Sequence, residues 1–345
     1  MQKMTKKYFI TGGAGFIGSN FAADLLRKNR EVTIFDNLSR SGSRHNIAWL
    51  RSQFGADSFR LIQGDVRDAD ALEKAVGNAD VVAHFAAQVA VTTSVTNPRE
   101  DFEINAAGTF NLLEAVRKSG RQPVVLYTST NKVYGGMENV RVIEREEDYV
   151  YEDFPMGIAE SQPLDFHSPY GCSKGTGDQY VRDYSRIYDI PTVVFRQSAI
   201  YGPRQFGMED QGWVSWFIIA VLLKKPITIY GNGKQVRDLL FIDDLVRAYH
   251  AAIDAPEITA GQIFNIGGGP NNVISVWKEF GPILEELCGE KILVNYSNWR
   301  PGDQVIYVSD IRKAERLLNW RPEVSVKEGI TRLYRWAEEN RNLFA

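Results

Sequence analysis

The chain has 345 residues, 44% hydrophobic and 24% charged, with a formal net charge of −3 and a pI near 5.9. That length outgrows a single hydrophobic core, so two lobes are expected. The mild acidity gives no reason to expect nucleic acid or an anionic membrane as a partner. Two cysteines, Cys172 and Cys288, supply no disulfide framework and suit a reducing cytoplasm. Lys3, Lys6 and Lys7 precede only Tyr8-Phe9-Ile10 before glycine interrupts, too short an apolar run for a signal peptide. The longest apolar run, 216–223, falls far short of a membrane span and reads as a buried helix.

Residues 8–11 read as a short buried strand that leads straight into Gly12-Gly13-Ala14-Gly15-Phe16-Ile17-Gly18 and then a helical pattern through Phe21, Leu25 and Leu26. Glycines at this spacing permit a tight turn, close approach of backbone to a pyrophosphate, and close packing of helix on strand. The helix start adds free amides and a positive dipole end. Gly12, Gly15, Phe16, Ile17 and Gly18 are therefore expected to cradle a dinucleotide. The next strand, 32–35, ends at Asp36, eighteen residues past Gly18 and near the interval for an acid that bonds a ribose 2′-hydroxyl. A carboxylate there repels a 2′-phosphate, so NAD is expected over NADP. Asn37, Ser39 and Arg40 follow it into the cofactor set, with Arg40 and Arg44 read as a solvated loop edge or as diphosphate neighbours.

Strands at 59–63, 80–84 and 124–127 alternate with helical patterns, the longest from 98 to 118. The fold class is α/β: a Rossmann doubly wound parallel sheet with helices on both faces, its ligands gathered at the carboxyl ends of the strands. Asp65, Val66, Phe85, Ala86, Ala87 and Thr130 fall on that rim. His84 lies there too, but four histidines without ligand-like spacing make it structural and imply no metal.

Tyr170 and Lys174 are four residues apart, and on a helix they share one face. A phenol titrates near ~10, and a neighbouring ammonium pulls that value down. The pair is then suited to moving a proton on and off a hydroxyl.

Together with Asn105 and Arg300-Pro301-Gly302-Asp303, these motifs resemble those of the extended short-chain dehydrogenases/reductases, the family of nucleotide-sugar epimerases and dehydratases. The resemblance covers nearly the whole chain. It implies an NAD-binding Rossmann domain over 1–190, with parts of 230–265 returning to it, and a smaller nucleotide-sugar-binding α/β lobe over 191–345. It implies that Tyr170 is the acid/base, that Lys174 binds the nicotinamide ribose and lowers the tyrosine pKa, and that Thr130 bonds the reacting hydroxyl. Asn105 joins the cofactor set. Arg237 and Arg300 are implied to grip the diphosphate, a bidentate task that suits guanidinium. Asp303 is implied to contact the nucleotide, with Gln304 sharing or replacing that contact, and Gln197 and Gln211 complete the substrate set. By the same analogy the helices near 98–118 and 168–187 pair across a homodimer or homotetramer.

One stretch divides the family. Dehydratases carry Thr-Asp-Glu-Val-Tyr, whose two acids move protons during elimination. Here Thr130-Asn131-Lys132-Val133-Tyr134 puts an amide and an ammonium there, so dehydration is disfavoured and Asn131 and Lys132 pass to the substrate set. This stretch, with 164–175, 210–214 and 231–238, resembles the CDP-tyvelose 2-epimerase branch. That implies inversion at carbon 2 of a CDP-sugar, CDP-paratose or a related CDP-hexose, through a transient 2-keto sugar. The rival readings are a UDP-sugar 4-epimerase and a catalytically silent NAD-dependent scaffold; the intact Thr130, Tyr170 and Lys174 argue against the scaffold. Residues 136–167, densely acidic from 144 to 153 with Tyr149 and Tyr151 interleaved, read either as a solvated excursion or as a flap over the sugar.

Overall fold

The computed structural model describes residues 6–300 and 303–344, so Lys3, Pro301 and Gly302 of the motifs above lie outside it. The chain forms two compact units, the first from Met1–Thr130, Ser168–Arg196 and Val246–Phe264, the second from Asn131–His167, Gln197–Leu245 and Asn265–Ala345. The sequence reading kept 131–167 with the first lobe; the structure groups it with the second unit.

The first unit is built on a seven-stranded sheet of β1 (Lys7–Thr11), β2 (Glu31–Asp36), β3 (Arg60–Gln63), β4 (Val81–His84), β5 (Val124–Thr130), β6 (Thr192–Gln197) and β7 (Gln262–Ile266). Its order is β7-β6-β5-β4-β1-β2-β3, and β1 pairs in parallel with both β2 and β4. The order reverses between β1 and β4, which in open α/β sheets is where a ligand crevice opens at the strand ends. Thr11 is level with Phe35 of β2 and His84 of β4, so the glycine turn leaves the sheet at that point. All four β4 residues are buried, as expected of a strand covered on both faces.

Four helical segments matter for the site: α1 (Phe16–Arg27), α2 (Pro98–Phe102), α3 (Gly108–Lys118) and α4 (Ser168–Tyr188). Phe21, Leu25 and Leu26 bury the apolar stripe of α1. The helix expected over 98–118 runs its full length, with a π-helical turn, Glu103–Ala107, set between α2 and α3. Such turns often mark functional positions, and this one carries Asn105. Leu112, Leu113 and Val116 of α3 pack with Tyr127, Val181 and Tyr184 in one core cluster, each buried aliphatic side chain contributing about 1.5–3 kcal/mol. The α4 helix comes close to β5 because Gly177 faces it. A Cβ there would lie 2.3 Å from the Tyr127 hydroxyl.

In the second unit the strand Val236–Phe241 pairs in parallel with Ala199–Tyr201 and Ile306–Tyr307 and antiparallel with Val273–Ser275. The expected apolar helix is Trp213–Leu222, with Phe217 edge-on to Trp277 and Trp213 edge-on to Phe280. The 136–167 segment corrects the solvated-excursion reading. It forms a hairpin of Val142–Glu144 and Tyr149–Tyr151, and Tyr149 and Tyr151 are buried in a cluster with Ile158, Val236 and Tyr307. The Tyr151 hydroxyl donates to the Ile306 carbonyl at 3.2 Å. Tyr149 and Tyr151, on either side of Val150, form the buried face of a strand, which the surrounding charge density hid. Among the described residues no helix is long and apolar enough to cross a membrane.

Candidate active site

The glycine turn of the first unit is built as a phosphate cradle requires. Gly12 has φ +69°, and a Cβ on it would lie 2.5 Å from the Ala86 amide nitrogen. This close approach locks the turn to the Phe85-Ala86-Ala87 segment after β4. Phe85 donates its amide to the Thr11 carbonyl at 3.0 Å, and its ring stacks on Tyr249 at 5.2 Å. A Cβ on Gly18 would lie 2.3 Å from the Gly12 carbonyl oxygen, so helix and turn also pack in contact. Gly15 differs. It caps α1 with φ −72°, and a Cβ there would meet only the Gly12 oxygen, at 3.2 Å. Phe16 and Ile17 open the helix behind it, so its missing side chain leaves room in front of the free N-terminal amides of α1. These features fit a dinucleotide diphosphate.

Asp36 ends β2 with its carboxylate buried, accepting from the Ala14 amide at 3.0 Å and the Leu38 amide at 2.8 Å. Those bonds fix it beside the cradle and leave lone pairs for a ribose hydroxyl. Asn37 donates to the Asp65 carboxylate at 2.9 Å and accepts from the Ser39 amide at 3.0 Å. Ser39 and Arg40 are exposed in the loop that follows. Asp65 also takes two bonds from the Arg67 guanidinium, 2.8 and 2.9 Å, which hold its carboxyl well below the usual range. Val66 is buried beneath Gly108.

Asn105 is placed differently from the expectation of a cofactor contact. Its side chain accepts from the Gln88 amide and donates to the Gln88 carbonyl, both at 2.9 Å, and reaches Asp101 at 3.1 Å and Ser173 at 3.2 Å. With its amide so occupied, it braces the segment after β4 against α2 and α4. His84 is structural, as its sequence context suggested. The Thr109 hydroxyl donates to the Asn105 carbonyl, so His84 Nε2–H donates to Thr109 at 3.0 Å and Nδ1 accepts from Thr11 at 2.6 Å. Burial holds it neutral, bringing its pKa down to about 3.

Thr130 ends β5, and its side chain hydrogen-bonds the phenol of Tyr170. The α4 helix starts at Ser168, where φ is +71°, and the Ser168 hydroxyl caps the Gly171 amide at 3.2 Å. Strain of this kind, about 1–3 kcal/mol, is commonly held at functional sites. Tyr170 and Lys174 are both buried. Burial, with the Asp101 charge adding to it, pushes Tyr170 up to about 12 despite the Thr130 bond. Lys174 lies over the Tyr127 ring at 4.3 Å, and burial brings it down to about 7. Desolvation disfavours both charged forms, and the sequence shows spacing but not dryness.

Sequence reasoning missed a second group around this pair. Asp178, one turn past Lys174, accepts from Arg196 through two bonds of 2.9 Å and from the Ser129 hydroxyl at 2.7 Å. Both ions of this pair are buried. The i, i+4 spacing of Tyr170, Lys174 and Asp178 was the available signal.

In the second unit two of the expected substrate residues, Arg237 and Lys132, meet at Asp303. Its carboxylate accepts from Arg237 at 2.8 Å and lies 4.0 Å from the Lys132 ammonium. Burial and the Arg237 charge bring Lys132 down to about 8, against the pull of Asp303. Asn131 donates to the Gln304 side-chain oxygen at 3.3 Å, and Gln304 donates to the Gly135 carbonyl at 2.7 Å. Gln304 thus braces the 131–135 turn, and Arg237 caps the Gln304 carbonyl at 2.7 Å. Tyr134 is a packing residue whose hydroxyl donates to Asn265 at 2.7 Å. Arg300 pairs with Asp210 at 3.1 Å and lies over the Tyr230 ring at 3.8 Å. Gln211 forms a tight backbone turn with Met208 at 2.9 Å, and Gln197 is buried at the end of β6. Among the described residues no His, Cys, Asp and Glu cluster could hold a metal ion.

The model of the GDP-mannose 4,6-dehydratase family matches residues 9–333. A CDP-paratose 2-epimerase from Salmonella typhi is 44% identical over 337 residues, 96% of this chain and 98% of that protein. The chain belongs to the extended short-chain dehydrogenase/reductase family of nucleotide-sugar epimerases and dehydratases. Solved members share its fold. A dTDP-glucose 4,6-dehydratase double mutant from Streptomyces venezuelae, with NAD bound, superposes at a TM-score of 0.84 and 31% identity, covering 97% of this chain and 98% of that one. A UDP-glucuronic acid 4-epimerase from Bacillus cereus, with UDP-glucuronic acid and NAD, gives 0.82 and 30%, covering 96% and 99%. The family thus includes both eliminations and epimerisations on one scaffold, so the division between them rests on side chains.

Proposed function

We propose that the chain is an NAD-dependent epimerase that inverts carbon 2 of a CDP-sugar, CDP-paratose or a related CDP-hexose. The observation that carries this reading is the pairing of Thr130 and Tyr170 beside Asn131-Lys132. The hydroxyl-handling pair is assembled, while Asn131 is turned onto Gln304 and Lys132 onto Asp303. Neither can act as the carboxylic acid an elimination needs, which supports reversible oxidation over dehydration. The likeness to a CDP-paratose 2-epimerase supports carbon 2 and the CDP carrier.

The cradle of Gly12, Gly15 and Gly18 holds the NAD diphosphate, and Asp36 bonds its adenosine ribose. NAD held there would supply the hydride acceptor and donor for carbon 2. Tyr170 takes the proton of the carbon 2 hydroxyl at its phenolic oxygen and later returns it. Thr130 orients that hydroxyl. Lys174, as an ammonium, favours the phenolate that burial otherwise suppresses. Arg237, Lys132 and Arg300 neutralise the diphosphate, with Asp303 keeping the first two apart and in place. Exposed Phe110 and Tyr180, edge to face at 5.8 Å, lie on α3 and α4 and form the self-association face of a homodimer. The free cysteines Cys172 and Cys288 suit a reducing cytoplasm.

The test is incubation with CDP-paratose, CDP-glucose and UDP-glucose, with product stereochemistry read by NMR. Inversion at carbon 2 of a CDP-sugar with deuterium retained at that carbon is expected. Inversion at carbon 4 of UDP-glucose, or rapid washout of the carbon 2 label into solvent, overturns the reading.

A further inference from the structure

Three side chains beside the acid/base pair have no role in the reaction just described, and they converge on one carboxylate. Asp101, on α2, is buried, with only 1% of its surface exposed. It accepts from the Ser173 hydroxyl at 2.5 Å, from Gln88 at 3.0 Å and from Asn105 at 3.1 Å. All three donors are neutral, and no cation among the described residues forms a salt bridge with it. A carboxylate so placed is costly unless a positive charge lies within its field.

The charges around Lys174 single it out. From α4, Asp178 acts on the lysine, but Arg196 of β6 takes that carboxylate through two bonds of 2.9 Å. His84 of β4 is neutral, and Tyr127 of β5 presents its ring. Glu114 of α3 is bound by Arg117, and Glu103 of the π-turn by Arg99. Residues Val91–Thr96, packed on α4, carry no ionisable group. Asp178 is the larger of the two charges acting on Lys174, but Arg196 shares it, so Asp101 is the carboxylate in the lysine's field that has no cation bonded to it among the described residues. Ser173, next to Lys174 in the chain, ties them mechanically.

We propose that Asp101 is a positioning residue of the acid/base centre: through Ser173 it fixes the turn of α4 that carries Lys174, and its carboxylate is the counter-charge that keeps this lysine an ammonium. The assignment rests on the proposed role of Lys174 for its consequence, but not for its measurement. Each group is ionised because the other is, so the two titrate as a coupled pair. Loss of the carboxylate releases the Lys174 proton at lower pH, and the ammonium needed beside Tyr170 is lost with it.

The experiment is carbon-13 NMR of the NAD-bound enzyme labelled at lysine Cε and aspartate Cγ, with Lys174 assigned by Lys174→Arg. In Asp101→Asn the Lys174 midpoint is expected to fall by about one pH unit or more, whereas Asp101→Glu keeps it near the wild-type value. The alkaline limb of kcat/KM should move down with the midpoint in Asp101→Asn. An unchanged midpoint in a folded Asp101→Asn variant overturns the proposal, since a purely structural brace would lower activity without moving it. Should that variant not fold, the wild-type protein decides: coupled titration of Asp101 and Lys174 supports the pairing, and independent single steps refute it. If no sugar is turned over, the functional reading fails while the NMR titration still judges Asp101.

Discussion

The glycine turn offers a prediction in which two neighbouring substitutions fail in opposite ways. In Gly12→Ala the new methyl would lie 2.5 Å from the Ala86 nitrogen at a φ of +69°. The left-handed backbone costs an L-residue about 1–2 kcal/mol, and forcing overlapping backbones roughly 1 Å apart adds about 1–3 kcal/mol. At about 2–4 °C per kcal/mol for a domain of this size, the melting temperature should fall by about 4–20 °C. In Gly15→Ala the backbone is already at φ −72°, and the methyl meets only the Gly12 oxygen at 3.2 Å. Stability should change by no more than about 1 kcal/mol, the difference between glycine and alanine at a helix N-cap. The methyl instead occupies the space reserved for a diphosphate, and NAD affinity should fall about 10–100-fold, equal to about 1.4–2.8 kcal/mol. Thermal melts of protein stripped of nucleotide, followed by calorimetric titration with NAD, separate the two effects. Wild-type NAD affinity in Gly15→Ala would refute the cradle, and an unshifted melt in Gly12→Ala would refute the locked turn.

Other expectations follow from the same geometry. Arg237→Met should weaken binding of a CDP-sugar about 10–100-fold, the effect of losing charge-assisted bonds, with NAD affinity unchanged by calorimetry; equal loss for both ligands would contradict the assignment. Arg196→Met leaves the buried Asp178 carboxylate unpaired and should destabilise the protein by about 3–5 kcal/mol, read as a lower urea midpoint. A cost below about 1 kcal/mol would show that solvent reaches the pair. Lys174 and Lys132 are brought down to about 7 and about 8 from 10.5. The unfolded chain therefore holds more protons than the folded one between those values and 10.5, and stability must rise with pH across that window. The urea midpoint should be higher at pH 9 than at pH 7, and a Lys132→Met, Lys174→Met double variant should flatten the rise; a midpoint that falls from pH 7 to 9 would contradict the burial of both lysines.

The recognisable parts of this enzyme are those whose chemistry is local. A glycine turn between a strand and a helix, an acid at the end of the next strand, and a tyrosine and lysine one helical turn apart depend on spacing, and the chain itself sets spacing. The alternation of strands and helices made the parallel sheet legible for the same reason. The acidic stretch around Tyr149 and Tyr151 was misleading because its charges describe one face of a hairpin while its aromatic residues fill a core shared with residues as distant in the chain as Val236 and Tyr307.

The ionisation of the site belongs to the tertiary structure alone. Spacing puts an ammonium near a phenol, but only packing reveals that both are dry, that desolvation disfavours both charged forms, and that Asp101 arrives from α2 to bond Ser173 beside the lysine. The sequence singled out the groups proposed to move the proton. The fold decided at what pH they hold it, because a pKa depends on every charge and every missing water around a group, and those are brought together from across the chain.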